Sequence, residues 1–441
     1  MEAGHRHSCR SGALALVFVT SILLCTCGHD GPPIRPFTIA MIPDTQNMVD
    51  YRHQTARGFP VDASELFMGQ LEFIASNAVT AGGDIAFVTA VGDVWQHQSV
   101  EMDSEHAARG FERIDNQWFA LEIEFGPEAR SIELPSARAG YELISRAELP
   151  FAVAPGNHDY DAMWSDARYP PVSDPREIDF TPETLGVLHV GGLDNFRSVF
   201  GADTPFFEGK KWYISSYDGG TSSAQSFSAG GYRFLHIALE MSPPDEVLDW
   251  AASVVEANPG LPTIISTHDY LDARGERRSS PLVDLKALDP AHNDAEELWA
   301  EFISRHDQIF MVLCGHHHGQ AIRVDRNAAD HDVYQILADF QNRGQVGLDA
   351  GAPLVRNRPV GLGDGWLRLL TFTTTGAVPT LEVRTYSPHY RAHSTELESY
   401  AAWYKPHEEP EMTDAEFLKE DDFVIELGDF RSRFGPPRPL Q

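Results

Sequence analysis

Five short apolar, β-prone runs punctuate the chain, at residues 37–42, 85–91, 151–154, 263–266 and 309–313. Each is bounded by Gly, Pro or polar residues, the pattern of a buried strand. Amphipathic segments of helical period lie between them. Asp62 and Glu65 have capping-box spacing ahead of an apolar stripe of Leu66, Phe67, Gln70, Leu71, Phe73 and Ile74. Pro244-Asp245-Glu246 opens a second helix through Val247, Leu248, Trp250, Ala251 and Val254, which stops at Asn258-Pro259-Gly260. A third runs from about Asp294 through Leu298, Trp299, Phe302 and Ile303. Helices between strands imply crossover connections, and so a largely parallel central sheet. Near the C-terminus, residues 366–372 and 381–386 predict an antiparallel hairpin. Leu381, Val383 and Thr385 alternate there with Glu382, Arg384 and Tyr386.

The polar clusters just after the five runs carry the chemistry. In order these are Asp44-Thr45-Gln46, Gly92-Asp93, Gly156-Asn157-His158-Asp159, Thr267-His268 and Gly315-His316-His317-His318. Polar groups at the carboxyl ends of buried strands point into the crevice where open α/β sheets bind ligands. Carboxylates, amides and imidazoles arriving by five separate routes point to a two-metal site and a metal-dependent hydrolase. On an extended chain, side chains at i and i+2 face the same way. That spacing pairs Asp44 with Gln46 and His316 with His318, and turns Thr45 and His317 elsewhere. His97, Tyr160 and Tyr270 adjoin these motifs as cleft candidates, with a plain packing role the competing reading.

The leader changes the picture of location. His5, Arg6, His7 and Arg10 precede an apolar stretch, residues 13–24, too short to span a bilayer, which reads as a signal-peptide core. Leu24-Cys25-Thr26-Cys27 resembles a bacterial lipobox with Cys27 as the lipidated residue; an ordinary cleaved signal is the alternative. The expected organisation is a leader over 1–27, a catalytic domain over 28–394 and an acidic, partly disordered extension over 395–441. Insertions at about 98–149 and 161–232 are expected to wall the substrate cleft. Three of four cysteines belong to the leader, and Cys314, ending an apolar run, reads as a buried inert thiol. The balance of 65 acidic against 34 basic residues gives a net charge of −31, a field that repels nucleic acid.

The ordered motifs resemble the calcineurin-like metallophosphoesterase superfamily over about residues 37–386. The Asp-Thr-Gln start, Ala338-Asp339-Phe340-Gln341 and Tyr386-Ser387-Pro388 resemble an exported bacterial branch. The resemblance implies an α/β fold, a four-layer αββα sandwich of two mixed sheets flanked by helices, with a dinuclear metal site at the strand carboxyl ends. It implies that Asp44, Gln46, Asp93 and His318 hold one ion and that Asp93, Asn157, His268 and His316 hold the other, with Asp93 bridging. The ions are divalent or mixed-valence: Mn, Fe, Zn, Mg or Ca. Gln46 stands where much of the superfamily has His, which weakens that ligand or changes its ion; a nearby hydrogen-bonding role is the alternative.

The resemblance also implies hydrolysis of phosphate esters by a metal-bridging hydroxide, with His158 protonating the leaving oxygen and Asp159 orienting that imidazole or serving structure. The expected partner is a small phosphoester met in the cell envelope, monoesters ahead of diesters. A phosphodiesterase, or a metal-stabilised binding protein without catalysis, is the alternative.

Overall fold

The computed structural model describes Met1 and residues 33–116, 126–171 and 186–439. The leader with its Cys27 motif lies outside the described residues, as do 117–125 and 172–185 of the two insertions.

Two large mixed sheets organise the chain, their strands numbered in chain order. The first contains β1 (Phe37–Ile42), β2 (Ile85–Ala90), β4 (Phe151–Val153), β14 (Leu367–Thr373), β15 (Thr380–Ser387), β16 (Ala392–His393) and β17 (Asp422–Glu426). Its order is β16-β15-β14-β1-β2-β4, with β17 also pairing β15. The β1–β2 and β2–β4 pairs are parallel, and β14 joins β1 antiparallel. The second sheet contains β7 (Tyr213–Tyr217), β8 (Ser222–Ala229), β9 (Tyr232–Ala238), β10 (Thr263–Ser266), β11 (Ile309–Cys314), β12 (Gly319–Arg326) and β13 (Asp332–Asp339). Its order is β12-β13-β11-β10-β9-β8-β7, parallel from β9 to β13 and antiparallel at both edges. A small sheet of β3 (Arg113–Ile114), β5 (Ala162–Asp166) and β6 (Leu188–Gly191) stands apart from both.

Side-chain alternation explains how the sheets are covered. Phe37, Ile39 and Met41 of β1 share one buried cluster with Phe234 of β9, Ile264 of β10 and Leu313 of β11. Phe87 stacks on Phe227 across the two sheets, ring centres 4.5 Å apart. Ala40 and Ile42, on the other face of β1, join Leu66, Phe67, Leu71 and Ile74 of the helix Ser64–Ser76 and Tyr141 and Ile144 of the helix Leu134–Arg146. Ile265 and Val312 of the second sheet pack on Val247, Leu248, Ala251 and Val254 of the helix Asp245–Ala257. Each fully buried aromatic or large aliphatic side chain here contributes about 1.5–3 kcal/mol.

The expected hairpin forms, with Phe372 opposite Leu381, and buried residues alternate along β15 as the pattern predicts. The interval 161–232 is more than an insertion, since it also supplies β7 and β8. Their Ser-rich sequence hides them, because Ser223 and Gln225 face inward where apolar residues are expected. In the interval 98–149, the helix Leu134–Arg146 belongs to the core rather than to a cleft wall. The C-terminal extension departs from expected partial disorder, for the helices Tyr400–Glu408 and Asp414–Asp421 bury Tyr400, Tyr404 and Phe417. The fully buried Arg343 guanidinium forms a bidentate pair with Glu408, at 2.8 and 2.9 Å, among those rings. Cys314 is buried and free, as expected of an inert thiol. No helix among the described residues is long and apolar enough to cross a membrane.

Candidate metal centre

Parallel pairing brings the ends of β1, β2 and β4 together in one sheet and those of β10 and β11 together in the other. The loops leaving these ends converge. His268 lies at the middle: its Nε2 is 3.3 Å from Asp93 Oδ1, 4.0 Å from Asp44 Oδ2, 3.1 Å from Asn157 Oδ1 and 3.2 Å from His316 Nδ1. Gln46 donates through Nε2 to Asp93 Oδ2 at 3.1 Å. Six of the seven expected ligands, Asp44, Gln46, Asp93, Asn157, His268 and His316, are therefore within one cluster. Asp93, His268 and His316 form a metal-capable trio, their donor atoms all within 4.8 Å of one another.

The backbone reaches this geometry by a different route from the extended-chain rule. Thr45 is helical, at φ −107° and ψ −1°, and Gln46 starts the short helix Gln46–Val49. His316 has φ 68° and Asp93 φ 52°, left-handed values that non-glycine residues adopt at a cost of about 1–3 kcal/mol and that cluster at functional sites. The i, i+2 rule thus fails for the histidines as well. His318 is half exposed, its Nε2 4.0 Å from Asp339 Oδ2, and it does not join the central cluster. His317 pairs through Nε2 with Asp269 Oδ1 at 2.9 Å, and Asp269, His316 and His317 form a second metal-capable trio with donor atoms within 4.8 Å of one another. The motif glycines are explained by crowding: a Cβ on Gly156 would collide with Asp93 Oδ1, and one on Gly315 with Asp44 Oδ1.

Charge in the cluster is badly balanced for a protein interior. Asp44, Asp93 and Asp339 are all about 1% exposed. Burial, then Asp339, holds the Asp44 carboxyl well above its ordinary range. Burial acts on Asp93 in the same direction, but His268 and His158 outweigh it and Asp93 sits below its ordinary range. Burial alone would push the His268 imidazolium down; Asp93 and Asp44 overcome it and lift the pKa to about 10. Those carboxylates create a strong demand for positive charge where the loops meet. Burial keeps His316 neutral, with the neighbouring histidines adding to the effect, so its ring nitrogens retain a lone pair for ligation. Gln46 Oε1 is buried with no hydrogen-bond partner among the described residues. A buried amide oxygen without a donor costs about 1–3 kcal/mol unless a cation or water meets it. The donor set therefore fits hard or borderline divalent ions.

Asp159 and His158 do not touch through their side chains. Asp159 instead accepts from Val94 N at 2.8 Å and Gly156 N at 2.9 Å, so it serves structure by holding the turn against the loop after β2. The His158 ring is oriented by the Gln96 carbonyl, 2.7 Å from Nδ1. A carbonyl only accepts, so Nδ1 carries the hydrogen and Nε2 is the atom left to exchange a proton. Tyr270 bonds to Gln335 and Tyr160 is buried against the Met241 carbonyl, packing roles for both. His97 is buried against Glu133 at 2.7 Å.

Two further residues, Asp339 and Gln341, belong to the cluster though neither is among the expected ligands. Asp339 ends β13, and Gln341 donates to it at 3.0 Å while accepting from Gln46. A β-prone run, 332–338, precedes Asp339 as the other runs precede their motifs, so the same rule would have found it.

No family model matches the chain. A 263-residue stretch, 58% of the chain, is 25% identical to the uncharacterized protein YvnB of Bacillus subtilis (strain 168). The chain spans 16% of that relative's length. The relative's name states no activity.

Proposed function

We propose that this protein is a dinuclear-metal-dependent phosphoester hydrolase built on a four-layer αββα sandwich and exported to the cell envelope. The three core clusters support the layered reading, since one lies between the sheets and two lie under helices on their outer faces. Export rests on the leader sequence. The carrying observation for function is the convergence on His268 of two buried carboxylates, an amide and a second imidazole from four other loops.

Asp44, Gln46, Asp93, Asn157, His268 and His316 would hold the ions. His318 completes the set if its exposed ring turns inward beside Asp339. When bound, two divalent ions supply Lewis acidity that lowers the pKa of a water and neutralises phosphoryl oxygens. The protein's own residues do the rest. Asp93, at the centre, faces both halves of the cluster. His158 donates its backbone N–H to Asp93 Oδ1 at 2.8 Å, which ties the proton-transfer residue to the centre. Its ring is fixed through Nδ1, so that in the imidazolium form the Nε2–H is the proton delivered to a leaving alkoxide, and the neutral Nδ1–H tautomer remains afterwards. Small monoesters are favoured over diesters, and long nucleic acids are disfavoured by the net charge of −31.

The test is a panel of nitrophenyl phosphate and bis-nitrophenyl phosphate with Mn, Fe, Zn, Mg and Ca. Metal-dependent turnover, faster on the monoester, is expected. Much faster diester cleavage overturns the monoester preference, and inactivity on the whole panel favours a metal-stabilised binding protein.

A further inference from the structure

We propose that Glu133, carried in from the first inserted segment, is the positioning residue that sets the His158 imidazole. This rests on reading His158 as the proton donor. Glu133 is fully buried at the end of a π-helical turn, Ala129–Glu133, that runs into the helix Leu134–Arg146. Such turns recur at functional sites.

One Glu133 oxygen accepts from the Tyr51 N–H at 3.1 Å and the His97 ring Nδ1 at 2.7 Å. The other accepts from the backbone N–H groups of Gln96 at 3.3 Å and His97 at 3.2 Å. Four donors saturate a carboxylate. Asp50, His97 and Glu133 form a buried trio with donor atoms within 4.8 Å of one another, but Asp50 is consumed by Arg52, at 3.0 and 2.7 Å to its Oδ2. A group so satisfied, with a guanidinium already in it, is a brace and not a cation site. What it braces is the loop whose Gln96 carbonyl takes the hydrogen of His158 Nδ1. The same loop grips the Gly-Asn-His-Asp turn twice more, through Val94 N to Asp159 and through Gln98 Nε2 to the Asn157 carbonyl at 2.7 Å. Without Glu133 four N–H donors lose their acceptor, the 96–97 peptide is free to turn, and the imidazole loses its fixed tautomer and aim.

The experiment compares wild type with Glu133→Gln, Glu133→Ala, His158→Ala and the Glu133→Ala/His158→Ala double variant on aryl phosphates of graded leaving-group pKa. Metal content is measured alongside. Misplacement of a catalytic group costs up to about 100-fold. Glu133→Ala should lose about 10–100-fold on the poorest leaving groups, less on nitrophenolate, with metal content retained. Glu133→Gln, which keeps an acceptor oxygen, should recover much of the loss. Added to His158→Ala, the Glu133 change should cost little, because both act through one imidazole. A uniform loss across leaving groups, or full additivity in the double variant, overturns the proposal. Nitrogen NMR of the imidazole gives a readout free of activity: His158 should be a single Nδ1–H tautomer in wild type and mixed in Glu133→Ala. An unchanged tautomer overturns the brace. A wild type inactive on every ester sinks the hydrolase reading alone and leaves the tautomer to decide. Should Glu133→Ala fail to fold, Glu133→Asp, which withdraws the acceptor by one methylene, carries both measurements, with the same leaving-group-dependent loss and mixed tautomer expected.

Discussion

At the residue scale, the proposed hydrolysis divides its work between Asp93, which would hold charge, and His158, which would move protons. Asp93 touches Gln46, His268 and the His158 backbone at once, so its charge is the negative centre of the cluster. Asp93→Asn removes that charge without changing shape. Metal affinity should fall by more than the about 10–100-fold typical of losing an outer partner of a ligand. A variant retaining both ions and full activity contradicts the central role of Asp93. His158→Ala should leave metal content near normal and reduce turnover by about 10²–10⁴-fold, most for leaving groups of high pKa. Equal losses across leaving groups would instead give His158 a substrate-positioning role.

Elements decide how much of the site is legible in the sequence. The apolar runs announce the strands, and parallel pairing makes their trailing residues converge, so the meeting of six of the seven candidates can be read without a structure. His318 cannot, because the rule used for it presumes extended backbone and His316 turns left-handed. Asp339 is legible by the same strand-end rule, though no Gly-His or Gly-Asp pair flags it. Glu133 is illegible, because a carboxylate in an insertion acquires meaning only when its helix docks on the loop after β2. The strands β7 and β8 are masked by serines whose burial depends on the partner sheet.

The first insertion also offers a pH test at this scale. Asp103 caps the helix Ser104–Ala108, accepting from the N–H groups of Glu105 and His106 and from the His106 ring. Burial opposes its ionisation, but the His106 contacts prevail and bring its pKa down to about 2. A depressed carboxylate stabilises the fold above its unfolded pKa, and that contribution is lost as pH falls through the folded pKa. Asp103→Ala should therefore cost about 1 kcal/mol at pH 7, measured by denaturant unfolding. The gap to wild type should close as pH drops from about 4 towards 2. A gap unchanged at pH 2 means that the ionised cap contributes nothing.

For the whole molecule, the −31 charge means that an anionic substrate is drawn in by the centre and not by the surface. The C-terminal segment reaches that centre indirectly. Arg343, locked to Glu408 and the rings of Tyr400 and Tyr404, sits next to Asn342, which contacts His318. The extension therefore helps fix the loop that carries Gln341 to Gln46. Everything proposed for the molecule depends on two ions occupying the cluster. The most direct measurement is the metal content of the purified protein, paired with phosphoester turnover before and after chelation. A dinuclear centre predicts about two divalent ions per chain, loss of turnover on their removal, and recovery on their return. One ion or none in protein that turns over phosphoester at full rate would contradict it.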